Sequence, residues 1–247
     1  MKNGDAILSP VSIVHRGYLL DVDTDEPLPA DEVVDQSPVS MVFRAKSYEW
    51  KSTSVCRKLK TILSASAHNH DINKVIGFGL GGFSRRMIPY KSATRAMTQH
   101  VLLRVLKDWL QKKTGGKSPC YAQDPAYNST DTQVLQENGI EVIDDPCGWL
   151  EVDEQSMVVS IAATVPVKEI IADIARPAVI IWDRVSFEDA IGMTGESARL
   201  DPNSYRVFKM MEEYDMFEFG AGEDLCPWGS IVVYIRKSKT AVPPNFK

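Results

Sequence analysis

Short apolar runs alternate with helix-patterned segments across most of this chain. This alternation constrains the fold more than any other feature. "KVIGFG" (74–79), "PCYAQD" (119–124), "IEVID" (140–144), "SMVVSIA" (156–162) and "PAVIIWD" (177–183) each have the length and composition of a buried strand. Between them lie helical patterns. "SATRAMTQHVLLRVLKDWLQKK" (92–113) carries an inner stripe of Met97, Leu102, Val105, Leu106, Trp109 and Leu110. "NSTDTQVLQENG" (128–139) offers Thr130 and Gln133 as a capping box and Gly139 as a left-handed stop. "VPVKEIIADIA" starts after Thr164, a candidate cap, with Pro166 in its first turn. Strands separated by helices form parallel units with right-handed crossovers.

The C-terminal part departs from that rhythm. "DPNSYRVFKMMEEYD" (201–215) reads as a helix capped by Asp201, with Val207, Phe208, Met211 and Tyr214 inward. "MFEFG" and "GSIVVYIR" follow without a helix between them, so they pair antiparallel at one edge. The expected fold is α/β: a Rossmann-like doubly wound, mainly parallel sheet with helices on both faces. It ends in a C-terminal antiparallel strand pair, the methyltransferase-like variant.

Residues 1–47 are expected to form an N-terminal arm, partly extended or mobile, and 48–247 a single α/β domain. The stretch 21–38 holds seven acidic residues and three prolines and neither lysine nor arginine, a composition that buries little. "YEWKSTSVCRKLKTILSASA" (48–67) reads as an amphipathic helix with Val55, Leu59, Ile62 and Leu63 on one face. This helix and the arm are the two candidate surfaces for a protein partner.

The net charge of −5 argues against a general nucleic-acid binder, which needs basic surface to displace counterions from phosphates. No apolar run reaches bilayer length, so no membrane association is expected, and the chain reads as cytoplasmic, nuclear or both. The four cysteines are scattered without a CxxC pair, which points to reduced, mostly buried thiols. His68 and His70 lack nearby companions that would complete a metal shell, so no metal is expected.

The candidate site lies at the strand ends, where open α/β sheets bind ligands. Gly77, Gly79 and Gly82 fit G-x-G-x-x-G directly after the first strand, a pattern that lets backbone N–H groups approach an anion. Arg85 and Arg86 stand beside the turn. Asp124, followed by "PAYN", ends the second strand, and Tyr127 is placed either to stack on a ring or to close a pocket. Asp144, the segment from Ser160 to Ala163, and Asp183 occupy the other strand ends. No serine elbow, Walker loop or zinc-protease motif is present, so nothing names a nucleophile or base.

Three blocks resemble the SRR-like family, named for plant "sensitivity to red light reduced". They are "VIGFGLGGFS", "TRAMTQHVLLRVL" and "CYAQDPAYNSTDTQVLQENGIEVID", and the likeness spans about residues 74–185. It implies family-type roles for Gly77, Gly79, Ser84, Gln99, Asp124, Pro125 and Gly139. Where the family's fourth strand often ends in a Met-Pro-His-Cys segment, this chain has "VVSIAATVP". Its "WDRVSFEDAIGMTG" also departs from the usual Asn-Ser ending. The resemblance implies a regulatory protein, linked in other members to light signalling, circadian regulation, haem synthesis or cytoskeletal stability, with no established reaction.

Two readings of the site follow. One is a regulatory protein binding a small nucleotide-like or anionic ligand at Gly77, Gly79, Gly82, Ser84, Gln99, Asp124 and Tyr127. The other is an S-adenosylmethionine-dependent methyltransferase-like enzyme, which needs little acid–base machinery because positioning carries much of the work. The cofactor, S-adenosylmethionine or a nucleotide, stays open on sequence alone, and so does catalysis itself.

Overall fold

The computed structural model describes residues 36–84, 90–190, 200–221 and 231–238. Seven strands form one sheet: β1 (Lys74–Phe78), β2 (Cys120–Gln123), β3 (Glu141–Val142), β4 (Ser156–Ser160), β5 (Val179–Asp183), β6 (Tyr214–Ala221) and β7 (Ile231–Arg236). Their order across the sheet is β3-β2-β1-β4-β5-β7-β6. The first five are parallel. β7 runs antiparallel to both β5 and β6. The expected Rossmann-like architecture with its antiparallel C-terminal pair is therefore the observed one. The order reverses between β1 and β4, which makes their C-terminal ends the switch point of the sheet.

Eight helices accompany the sheet among the described residues: α1 (Gln36–Ser52), α2 (Ser54–Ser66), α3 (Tyr90–Thr114), α4 (Ser129–Glu137), α5 (Cys147–Leu150), α6 (Val167–Ile174), α7 (Phe187–Ala190) and α8 (Tyr205–Met211). Strand side chains alternate between two cores, as the period of two requires. Val75, Val159, Ile181 and Val233 join Phe43 of α1, Leu59 and Leu63 of α2, Leu102 and Leu106 of α3 and Leu135 of α4. Ile76, Val158, Ile180 and Val232 join Val167 and Ile171 of α6 and Val207 and Met210 of α8. Both faces of the sheet are thus covered, which explains why the parallel strands read as continuous apolar runs.

Five local expectations are corrected. The arm was expected to extend to residue 47, but α1 starts at Gln36 and buries Val39, Phe43, Ser47 and Trp50. These residues recur at helical spacing, and the face they form outweighs the acidic, proline-bearing sequence before it. Residues 1–35 lie outside the described residues. The 48–67 helix is two helices, broken at Thr53, whose side chain accepts a hydrogen bond from the Cys56 amide as the N-cap of α2. The capping box of α4 uses Asn128 and Asp131 rather than Thr130 and Gln133. Asp201 does not cap α8; Ser204, three residues further on, does. Gly139 has the expected left-handed φ of 68° after the end of α4. α6 starts at Val167 without a side-chain cap, so Thr164 does not serve as one.

Candidate functional site

A cleft of about 630 Å³ opens at the switch point. That lies within the range of small-molecule sites, ~300–1,000 Å³. The ends of β1 and β2 supply Phe78, Gly79, Gln123 and Asp124. The segment after β3 supplies Asp144, Asp145 and Trp149, and the loop after β4 supplies Thr164, Val165 and Pro166.

One wall is aromatic. Phe78 and Trp149 stack face to face, with ring centroids 4.0 Å apart and planes 2° from parallel. Trp149 is held by its indole N–H, which donates to Asp145 Oδ1 at 2.8 Å. The same oxygen accepts from Gln123 Nε2 at 3.0 Å, and Gln123 Oε1 accepts from the Gly148 amide at 2.7 Å. Gly148 is required there, because a Cβ would stand 2.5 Å from Gln123 Oε1. The four-residue helix α5 is in this way fastened to the end of β2.

The glycine turn is folded tightly against its neighbours. Gly79 has φ +62°, and a Cβ on it would lie 2.6 Å from the Ala163 Cβ in the loop after β4. A Cβ on Gly77 would meet Leu80 at 2.7 Å and Leu103 of α3 at 3.1 Å. One on Gly82 would meet Ala126 O and Asp131 Oδ2, both at 2.9 Å. Two carboxylates tie the turn to the segment after β2. Asp124 Oδ2 accepts from the Gly81 amide at 2.7 Å and its Oδ1 from the Ala126 amide at 2.8 Å. Asp131 Oδ1 accepts from the Phe83 amide at 3.1 Å, and its Oδ2 from the Asn128 amide at 3.2 Å. Ser84 Oγ donates to Asn128 Oδ1 at 2.9 Å. Burial raises both carboxyl groups above their ordinary range, and the backbone N–H donors oppose the rise.

Tyr127 lines the cleft, and its hydroxyl lies 2.6 Å from His100 Nε2. His100 Nδ1 lies 2.7 Å from the Ala96 carbonyl, which can only accept, so Nδ1 carries the proton and Nε2 accepts from the tyrosine. Burial lowers the imidazole to about 4, with the bond to Ala96 opposing, so the ring is neutral at pH 7. Burial, then the charges of Asp124 and Asp131, push the Tyr127 phenol well above its ordinary value.

A second buried polar group lies at the end of β5. Lys168 Nζ contacts Asp183 Oδ2 at 2.8 Å and Asp201 Oδ2 at 3.6 Å. The Lys168 amide donates to Asp201 Oδ1 at 2.9 Å. Burial raises Asp201 to about 6, against the attraction of Lys168 and with the help of the Asp183 charge. This triad ties α6, β5 and the entry to α8 together. Among the described residues no group of His, Cys, Asp and Glu is arranged to hold a metal ion.

A family model for the SRR1 domain matches residues 55–221, more than half of the chain. The chain belongs to the SRR1 domain family. No curated protein matches it by sequence. The solved structures that resemble it include two methyltransferases. One is the methyltransferase domain of bacterial CtHen1-CN, 13% identical over 73% of this chain and 99% of that one, with a TM-score of 0.35. The other is human N-acetylserotonin methyltransferase in complex with SAM, 9% identical over 85% of this chain and 61% of that one, with a TM-score of 0.38.

In this SRR1 domain the cleft brings together Gly79, Asp124 and Tyr127 of the seven residues expected to bind a ligand. Asp144, from the wider set of strand ends, lines it as well. Gly77, Gly82, Ser84 and Gln99 lie outside its lining. The first three pack or tether the glycine turn, and Gln99 is buried in α3. Asp183 belongs to the lysine triad instead. Arg85 and Arg86 fall outside the described residues. Sequence reasoning missed Trp149, Asp145 and the tethering role of Asp131. The signal for the first two was the turn-rich run "DDPCGW" directly after a strand end. For Asp131 it was the Asn-x-x-Asp spacing that makes the α4 capping box. No helix among the described residues is long and apolar enough to cross a membrane.

Proposed function

We propose that this SRR1-family protein is a regulatory protein that binds a small, ring-bearing ligand in the switch-point cleft, without catalysing a reaction on it. The observation that carries this reading is the cleft: about 630 Å³, walled by the Phe78–Trp149 stack and rimmed by Asp124, Asp144 and Asp145. An apolar cavity with a few convergent polar groups at a switch point is the usual form of a ligand site in open α/β sheets. The lining offers hydrogen-bond acceptors and flat apolar surface. Among the described residues it includes no serine, cysteine, histidine or lysine; its polar side chains are aspartates, threonines, a glutamine and a tyrosine.

A thermal-shift screen against adenosine, S-adenosylmethionine, S-adenosylhomocysteine, ADP and NAD tests the reading. A probe present at ~100 times its Kd adds roughly 2.7 kcal/mol of stability, a plain rise in Tm. The rise should shrink in Trp149→Ala, which removes one side of the aromatic wall. No shift with any probe overturns the binding reading. Conversion of a bound probe that falls with Asp124→Asn overturns the non-catalytic part.

A further inference from the structure

A phosphate bound to an open α/β sheet normally sits on the backbone N–H groups of the first glycine turn and on the helix that follows directly. In this protein four of the amides in and beside the turn are already engaged by the chain itself. The Gly79 amide donates to Gln123 O at 3.1 Å. The Gly81 amide donates to Asp124 and the Phe83 amide to Asp131. The Ser84 backbone also donates to Asp131. Gly82 faces Ala126 O and Asp131 Oδ2 so closely that even a methyl group has no room.

The side of the turn that faces the cleft is equally unsuited to an anion. Asp124, Asp144 and Asp145 all line it, and among the described residues no lysine or arginine does. Carboxylates are acceptors only, and each repels a phosphate across the low-dielectric edge of a cleft. They favour hydroxyl, amine or ammonium donors instead.

We infer that Asp124 and Asp131 fill the place a phosphate would take, and that the cleft selects a phosphate-free, nucleoside-type ligand whose hydroxyl or ammonium groups face the carboxylates. This rests on the binding reading above and narrows it: a nucleoside or sulfonium nucleoside fits, a nucleotide does not. The glycine turn then works as a clasp between β1 and the segment after β2, and the ligand meets the clasp through Asp124.

Isothermal titration of the full chain at fixed ionic strength, with adenosine, S-adenosylmethionine, AMP and ATP as probes, tests the inference. Adenosine or S-adenosylmethionine should bind. AMP should bind at least tenfold more weakly than adenosine, a difference of about 1.4 kcal/mol, and ATP more weakly still. Asp144→Asn, a change at an exposed rim position that leaves the fold intact, should narrow the adenosine-to-AMP ratio. AMP or ATP binding as tightly as adenosine overturns this inference and leaves the binding reading standing. A ratio unmoved by Asp144→Asn overturns its electrostatic basis. Failure of all four probes to bind overturns both.

Discussion

Replacing Gly79 by alanine separates two costs that are usually confounded at glycine turns. The first is conformational: φ is +62°, and an L-residue held in the left-handed region costs about 1–2 kcal/mol. The second is steric: the new Cβ would lie 2.6 Å from the Ala163 Cβ and 3.3 Å from its Cα. Forcing an extra carbon into such a contact costs about 1–3 kcal/mol. Gly79→Ala should therefore destabilise by about 2–5 kcal/mol in all. The neighbouring Gly81 provides a control. Its φ is +76°, but a Cβ there would meet the Ala96 Cβ at an ordinary 3.5 Å. Gly81→Ala should cost the conformational share alone, about 1–2 kcal/mol. Ala163→Gly removes the carbon that collides, so combined with Gly79→Ala it should recover the steric share and leave the rest. The expected coupling is about 1–3 kcal/mol in a double-mutant cycle. Urea unfolding followed by tryptophan fluorescence measures the wild type and the four variants, with an unchanged m-value as the check that only stability moved. Additive effects of Gly79→Ala and Ala163→Gly, or a Gly81→Ala cost equal to that of Gly79→Ala, would refute the packing argument.

Two further outcomes follow from the buried polar groups. Asp201 has its folded value raised to about 6 from an ordinary 3.8. The native state therefore keeps a proton that the unfolded chain has lost, and stability falls as pH rises from about 4 to about 6. One pKa unit corresponds to about 1.4 kcal/mol, so the Asp201 contribution across this window is on the order of 3 kcal/mol. Urea midpoints from pH 4 to 7 for the wild type and Asp201→Asn should converge towards pH 4 in their pH-dependence and diverge above it. Parallel profiles would show that Asp201 does not titrate there. Tyr127→Phe keeps the ring but strands the His100 Nε2 lone pair in a fully buried place. It should cost about 1–3 kcal/mol, measured by the same unfolding assay, and a change below about 0.5 kcal/mol would deny the bond any net role.

The parallel strands were legible because both faces of the sheet are covered, so each strand shows as an unbroken apolar run. Their parallel direction was legible because helical patterns separate most of them, and the antiparallel pair because none lies between β6 and β7. What escaped was decided by partners distant in sequence. Asp201 has the look of an N-cap beside Pro202, yet its carboxylate answers Lys168 across the fold. Val39, Phe43 and Trp50 mark a helical face, but the acidic stretch before them masks it. In the cleft, Asp124 and Tyr127 were legible from the strand-end rule. Trp149 was not, because a four-residue helix has too little length for periodicity to register. The glycine motif was read for the ligand it can hold. Nothing within the motif reveals that Asp124 and Asp131, more than forty residues on, take its amides.

The place of β7 in the sheet separates the span that the family model matches from the unit that folds. The family match ends at residue 221, ten residues before β7 begins. Yet β7 lies between β5 and β6, hydrogen-bonded to both. A fragment cut to the matched span would bare the whole edge of β5 beside Trp182 and leave β6 with no strand to hold it. It would also lose α1, whose Phe43 closes one of the two cores. The recognisable part of this protein is thus a sequence signature embedded in a larger folded body. Its integrity depends on a strand that the signature does not include.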